Sequence, residues 1–327
     1  MDFRLSEDQR ALQQGVRAFC DGRLPVEALH ELAKRGGFER ALWKELAELG
    51  VYSLRLPESE GGVGLGSADA VVVFAELGRR VVPGPLVWTH LAAPLVAGAA
   101  SGDVVVGGLD RTRPGSGPIL VEHLDQLDAL LVLTREGVER LDAKVLRGEP
   151  VATPFDPLTP VHVVAALPRG ERVGGPEDAA RLRREGAVLA AAQLLGIAEM
   201  TTELAVDYAK KREQFGRPIA GFQAVKHLCA DMFVRQEVVR AAVYAAGATL
   251  DDPGVGDLDR AVSGAKLVAG EGALRNARSC IQVYGGMGFT WEMPPHYYLK
   301  RTWVLANVFG TADEHEERVL ERVSAIV

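Results

Sequence analysis

Two stretches decide how this 327-residue chain is read: Arg212-Glu-Gln-Phe-Gly-Arg-Pro-Ile219, followed by Gln223, and Gln282-Val-Tyr-Gly-Gly-Met-Gly-Phe289. Both interrupt long segments rich in Ala, Leu and Val. In the first, Gly216 is the residue expected just past a helix C-terminus and Pro218 the one expected at a first helical position. The spacing therefore predicts a helix ending at Gly216 and another restarting at Pro218. A restarting helix offers backbone N–H groups that lack intrahelical partners, and Arg212 and Arg217 stand beside it, so the corner suits an anion. The bland alternative is an ordinary helix–helix corner with solvated arginines. In the second stretch, three glycines close a helix and leave backbone open to a ligand such as a pyrophosphate. A single glycine cluster of this kind is weak evidence, because glycine commonly caps helices.

Outward from these runs, helical patterning covers roughly 178–213, 218–250, 257–284, 295–307 and 311–325. Upstream, between about Ser101 and Gly175, the grammar changes. Short apolar runs such as Val104-Val-Val106, Ile119-Leu-Val121, Ala129-Leu-Leu-Val-Leu133 and Val161-His-Val-Val-Ala165 alternate with Gly, Pro and Asp. They read as short strands of a small antiparallel sheet or barrel. The first hundred residues are helical again. Ser6 and Gln9 form a candidate capping box, helices are expected near 39–49, 68–80 and 86–98, and Leu56 to Gly66 is a Gly- and Pro-bounded loop. Helices, then strands, then helices indicate segregated domains, which we place at 1–100, 101–177 and 178–327. The fold class is mainly α with a small β domain.

Bulk properties exclude several functions. A net charge of −7 and a pI near 5.6 give no overall basic field to draw nucleic acid or an acidic membrane. Cys20, Cys229 and Cys280 have no CxxC spacing and read as reduced, buried thiols. The seven histidines show no metal spacing. No run of 18 apolar residues is present and the N-terminus carries acids where a leader needs bases, so no membrane span is expected and the compartment expected is the cytoplasm.

The two stretches lie about 70 residues apart, and Pro294 and Tyr298-Leu-Lys-Arg301 follow them in order. The combination resembles the C-terminal helical domain of the acyl-CoA dehydrogenases over roughly 180–312. Leu5-Ser-Glu-Asp-Gln-Arg10 and the loop Leu56–Gly66 support the resemblance more loosely. It implies an N-terminal helical domain, a central β domain and a C-terminal bundle of four or five helices. It also implies that Arg212, Gln214, Phe215, Gln223, Gln282, Gly285 and Gly286 contact the adenosine or pyrophosphate part of an FAD bound mainly by a neighbouring subunit. Without the resemblance, Phe215 and Gln223 read equally well as packing at the corner.

The rest of the family's chemistry is missing. The family removes the α-proton of an acyl-CoA with a carboxylate, which must stand within hydrogen-bond reach of it. Where the commonest position carries an E-G-T glutamate, this chain has Phe309-Gly310-Thr311. The alternative position aligns with Gly186. Glu185 is adjacent, but one residue along a helix turns a side chain by about 100°, and within Arg181-Leu-Arg-Arg-Glu185 it reads as solvated. Glu292 is a lesser candidate, whose family equivalents look structural. The β region is short, lacks the family's T-E-P-x-x-G-S-D segment and its Trp-Ile-Thr strand, and has Phe155 as its sole aromatic residue.

A self-sufficient homodimer would then hold the adenosine half of each site and the flavin half of none. The resemblance therefore implies the non-catalytic subunit of a heteromeric, α2β2 acyl-CoA dehydrogenase. The longer partner chain would hold most of the acyl-CoA and the flavin ring, with FAD shared between the chains. This is similar to actinobacterial heteromeric enzymes that desaturate bulky acyl-CoA side chains, including those of steroids. Two alternatives stay open: a self-sufficient homotetrameric dehydrogenase with a relocated acid such as Glu185, and a flavin-free scaffold or regulator.

Overall fold

The computed structural model describes residues 4–113 and 117–324. Helix α1 (Glu7–Arg23) starts where the sequence predicts. The Ser6 hydroxyl accepts from the Gln9 N–H and Gln9 Oε1 accepts from the Ser6 N–H, each at 3.1 Å, a complete capping box. The short helix α2 (Leu29–Lys34) has no clear periodicity in the sequence, and α3 (Arg40–Glu48) and α4 (Ser67–Arg79) follow. Helix α5 (Leu86–Ala92) stops well short of the expected 98. Pro94 cannot donate to a carbonyl four residues back, and the helix ends before it.

The chain divides into two compact units, one comprising Leu32–Ala70 and Pro83–Ala187, the other Met1–Glu31, Val71–Val82 and Val188–Val327. The first of these contains β1 (Val106–Asp110), β2 (Ile119–Glu122), β3 (Ala129–Leu133), β4 (Val138–Asp142), β5 (Gly148–Pro150), β6 (Val161–Val164) and β7 (Glu171–Gly174). They form one sheet of order β1-β3-β4-β7 and a second of order β2-β6-β5. The expectation of a purely antiparallel sheet fails at β1, which runs parallel to β3 with Val106 opposite Ala129. The intervening strand, β2, belongs to the other sheet, so the chain crosses over before returning beside β1. Every residue of β3 is buried, as its unbroken apolar run requires. Helix α5 is fastened to β1 by Thr89, whose hydroxyl donates to Val106 O at 2.9 Å and accepts from Val106 N–H at 3.0 Å. Beside it, Trp88 lies so close to Gly108 that a Cβ there would sit 2.2 Å from the indole. Trp88, outside the β segment in sequence, is thus used up in packing against it.

The other unit holds the long C-terminal helices. Helix α6 (Pro176–Lys211) begins in the first unit and continues into this one. By length and composition it could cross a membrane, but 89% of that window is buried, as in the core helix of a folded protein. After it come β8 (Glu213–Gln214), β9 (Arg217–Pro218), α7 (Gln223–Asp251), α8 (Leu258–Tyr284), α9 (Pro295–Asn307) and α10 (Ala312–Ser324); the expected last position of α10, 325, lies outside the described residues. Glycines let α4 and α6 touch backbone to backbone. A Cβ at Gly78 would meet Gln193 O at 2.1 Å, and one at Gly196 would meet Ala75 O at 1.9 Å. Fully buried Asn276 of α8 pins three helices, donating to Met232 O of α7 at 2.9 Å and Ala198 O of α6 at 3.2 Å. Arg79 is buried among carboxylates, with Glu203 at 2.6 Å and Glu76 and Glu199 each at 3.3 Å.

Candidate functional site

The corner after α6 is built differently from the expected helix–Gly–Pro–helix. The helix ends at Lys211, and β8 pairs with β9 in a two-residue hairpin closed by Phe215 (φ 54°) and Gly216 (φ 74°). Positive φ at both central residues is the signature of a type I′ turn, whose twist matches that of the flanking strands. Gly216 is therefore a hairpin residue and Pro218 sits in β9, so the restart falls at Gln223. The start of α7 has no side-chain cap, which leaves its first N–H groups available to an anion.

Arg212, Gln214, Phe215 and Gln223 are all exposed. Arg217 is held over the Phe222 ring at 4.2 Å, and Phe215 meets Phe222 edge-on at 6.0 Å. Arg212 makes no ion pair among the described residues. Phe215 is 92% exposed, an aromatic ring presented to solvent on a backbone conformation that disfavours it. The bland reading of Phe215 as packing at the corner does not survive this exposure.

At the second motif α8 ends at Tyr284, and Gly285 turns the chain with φ 61°. A Cβ at Gly285 or Gly286 would meet no atom within 4 Å, whereas one at Gly288 would meet Ile281 O at 2.7 Å. The three glycines therefore do different jobs. Gly288 is there for packing, and the exposed Gly285 and Gly286 leave backbone bare beside the exposed Gln282. One core ties both motifs together. Ala205 and Ala209 of α6, Met232 of α7, and Cys280, Val283 and Tyr284 of α8 form a cluster against which Ile219, Ala220 and Val225 of the corner pack. Within it the rings of Tyr208 and Tyr284 stack at 4.0 Å.

Residues 6–102 match the model of the acyl-CoA dehydrogenase N-terminal domain, and residues 179–324 match that of the C-terminal domain. Acyl-CoA dehydrogenase IpdE2 of Mycobacterium tuberculosis is 33% identical over 98% of both chains. The chain belongs to the acyl-CoA dehydrogenase family. Acyl-CoA dehydrogenase FadE34 of the same organism is 32% identical over 98% of this chain, which spans only 48% of that protein's length. Among solved structures, the ChsE4-ChsE5 complex from M. tuberculosis matches with a TM-score of 0.86, 26% identity and 99% coverage of both chains.

The acyl-CoA dehydrogenase family uses FAD, and the surface just described fits the phosphate-bearing half of such a cofactor. Arg212 and the uncapped start of α7 suit a pyrophosphate, bare Gly285 and Gly286 allow close approach, and Phe215 offers a flat face to an adenine.

The two positions at which the resemblance led us to expect the carboxylate hold no acid. Phe309 is 2% exposed and closes the turn between α9 and α10 in a left-handed conformation (φ 57°). Gly186 is buried within α6. Glu185 is not solvated, contrary to the reading of its charged neighbours. It is 6% exposed and held by Arg55 at 3.0 Å and Arg181 at 3.3 Å. Glu292 is exposed. Phe155, the β segment's aromatic residue, is 55% exposed. Cys20 and Cys280 are buried and Cys229 half-buried, all as free thiols, with burial pushing the Cys20 thiol up to about 12. No group of three or more His, Cys, Asp or Glu arranged to hold a metal occurs among the described residues.

Proposed function

We propose that this chain is the non-catalytic subunit of a heteromeric, α2β2 acyl-CoA dehydrogenase that desaturates a bulky acyl-CoA, and that it completes the FAD site of a longer, catalytic partner. FAD, when bound, supplies the hydride acceptor for α,β-desaturation. Arg212, Gln214, Phe215, Gln223, Gln282, Gly285 and Gly286 of this chain hold the adenosine and pyrophosphate end. The partner holds most of the acyl-CoA and carries the base.

One contrast carries the reading. The cofactor-facing surface is intact and open, with Gly285 and Gly286 bare and Phe215 fully presented, while buried Phe309 stands at the base position. A Phe accepts no proton, and Glu185 has its oxygens engaged by two guanidinium groups. The likeness to the ChsE4-ChsE5 complex supports a partner chain of the same family. The steroid-type substrate rests on the resemblance to heteromeric enzymes of that class.

Expression of the full chain alone, and together with a longer acyl-CoA dehydrogenase chain as candidate partner, tests the proposal. The chain alone is expected to be colourless and inactive, and the complex yellow and active with a steroid-side-chain acyl-CoA. Yellow protein that turns over an acyl-CoA in the absence of a partner would instead establish the homotetramer. In the complex, Arg212→Ala is expected to lower FAD affinity by about 10- to 100-fold, the worth of one charge-assisted hydrogen bond. Unchanged flavin content and activity in that variant would favour the scaffold reading.

A further inference from the structure

A cavity of about 460 Å³ lies among α1, α4, α6 and α7, within the unit that holds the long C-terminal helices, and the flavin reading makes no use of it. That volume is in the range of small-molecule sites. Arginines dominate its walls: Arg4, Arg10, Arg17, Arg79 and Arg240 line it, against Glu199 and Glu203. In a chain of net charge −7 this is a local reversal of sign.

These arginines are of two kinds. Arg79 and Arg240 are held by Glu199, and Arg17 by Glu76, so their charge is neutralised inside the protein. Arg10 is different. Its NH1 donates to Leu5 O at 2.8 Å, a neutral carbonyl, and it forms no ion pair among the described residues. The α1 side of the cavity therefore presents a guanidinium fork that a carboxylate can take up.

Gln236 supplies an independent pointer to a ligand. It forms part of the cavity wall and is 8% exposed, yet its Oε1 is buried without a hydrogen-bond partner. Its Nε2 donates to Glu237 Oε1 at 3.3 Å. An ionised carboxylate only accepts, so the amide's orientation is fixed and the orphaned atom is the acceptor. A buried carbonyl oxygen ordinarily has a donor, and leaving it bare costs stability. The nearest guanidinium cannot serve it: Arg240, one turn on, gives its Nε, NH1 and NH2 to Glu199 and Glu237. Tyr244, a further turn along α7, adds a hydroxyl to the same wall, which burial pushes up to about 12 and so keeps protonated.

A simple anion would satisfy Arg10 but set negative charge against a bare carbonyl oxygen. An ammonium would suit that oxygen but meet Arg240 and Arg79 close by. A phosphate carries up to two charges, where one guanidinium stands without an acid. We infer that this cavity binds a small monocarboxylate bearing a hydroxyl, with its carboxylate on Arg10 and its O–H donated to Gln236 Oε1. The site is separate from the candidate cofactor surface, and the inference does not rest on the flavin reading.

Three achiral, nearly isosteric probes test it: 4-hydroxybutyrate, pentanoate and 4-hydroxybutanamide, titrated by calorimetry into the full chain in the assembly in which it is purified. 4-Hydroxybutyrate is expected to bind saturably. Pentanoate, which leaves Oε1 bare, and the uncharged amide should each bind at least about tenfold more weakly. Gln236→Met keeps the side-chain volume and removes the orphaned acceptor. It should leave the unfolding midpoint unchanged or raised, while 4-hydroxybutyrate falls to the affinity of pentanoate. Arg10→Gln should weaken both carboxylates about tenfold and keep the ratio between them. An absence of saturable 4-hydroxybutyrate binding would overturn the proposal, as would equal binding of pentanoate or an affinity unchanged in Gln236→Met. A sharp drop of the midpoint in Gln236→Met would also overturn it, because the amide would then serve the packing of α7.

Discussion

The carboxylate of Glu185 and the guanidinium of Arg55, 130 residues apart in sequence, lie 3.0 Å from each other with the acid buried. Arg181, one turn earlier on α6, reaches the other carboxylate oxygen at 3.3 Å. A carboxylate held on both oxygens is a structural tie and not a proton acceptor waiting for substrate. Glu185→Gln should therefore lower stability by about 1–3 kcal/mol, because Arg55 loses its charge partner in a largely buried setting. Flavin content and turnover of the complex should stay within a few-fold. Urea denaturation and steady-state kinetics on the same preparation check both halves. Unchanged stability with turnover abolished would make Glu185 the base after all.

That tie also marks the limit of what the sequence disclosed. Glu185 sits among arginines and reads as solvated, because its decisive partner, Arg55, comes from a distant loop that no local pattern connects to it. The long helices were legible, since their apolar runs repeat over many turns and their ends carry Gly, Pro or a capping box such as Ser6 and Gln9. Strands β4, β5 and β7 were not, because Val138-Glu-Arg-Leu-Asp142 and its neighbours mix charge into short segments that are half solvated. The hairpin at Glu213–Pro218 was missed for a different reason. A type I′ turn is signalled by Asn-Gly or Gly-Gly, and here Phe215 takes the first left-handed position. At the candidate cofactor surface the motifs stood out in the sequence, but the split of roles among Gly285, Gly286 and Gly288 needed their surroundings.

The buried charges around Arg79 should couple strongly. Arg79 is ion-paired to Glu76, Glu199 and Glu203, and Arg17 and Arg240 take further oxygens of Glu76 and Glu199. Arg79→Met is expected to cost roughly 3 kcal/mol by leaving buried carboxylates under-compensated. Glu199→Gln in the same background should cost less than it does alone, with a coupling energy of about 1–3 kcal/mol in a double-mutant cycle from urea midpoints. Strict additivity would mean that the pairs act independently.

Stability should also depend on pH through His90. Burial is the main cause that lowers this imidazole from 6.5 to about 4, and its Nδ1–H donates to Val51 O at 2.8 Å. The folded state holds His90 neutral while the unfolded state takes up a proton readily, so in this window unfolding binds protons. The contribution is fully present above about pH 6.5 and is lost as the pH falls towards 4. Its size is on the order of 3 kcal/mol. Measured from pH 7 to pH 4, the stability of His90→Gln should fall less steeply than that of the wild type. Parallel curves would assign the acid sensitivity to other groups.

Phe215 separates folding from cofactor binding. Its left-handed backbone costs a non-glycine residue roughly 1–2 kcal/mol, and its ring is almost wholly in solvent. Glycine would remove that strain but gain entropy in the unfolded chain, on the order of 0.4–1 kcal/mol. Phe215→Gly should thus leave the stability of the chain within about 1 kcal/mol of wild type. If the ring is kept to cover an adenine, the complex should lose flavin on gel filtration, whereas unchanged retention would leave the exposed aromatic without a part in cofactor binding.

Gly286 gives the sharpest test of the bare backbone. A Cβ there would meet nothing within 4 Å, so the chain itself has no steric reason to require glycine. It also lacks the left-handed φ that makes Gly285 intolerant of a side chain. Gly286→Val should accordingly fold with a midpoint close to wild type, while Gly285→Val, at φ 61° and ψ −139°, a conformation close to restricted to glycine, loses at least roughly 1–3 kcal/mol from its backbone alone. Both should fail to retain flavin in the complex, because either side chain fills the space a pyrophosphate would approach. Flavin retained by a stably folded Gly286→Val variant would mean that this glycine surface faces something other than the cofactor.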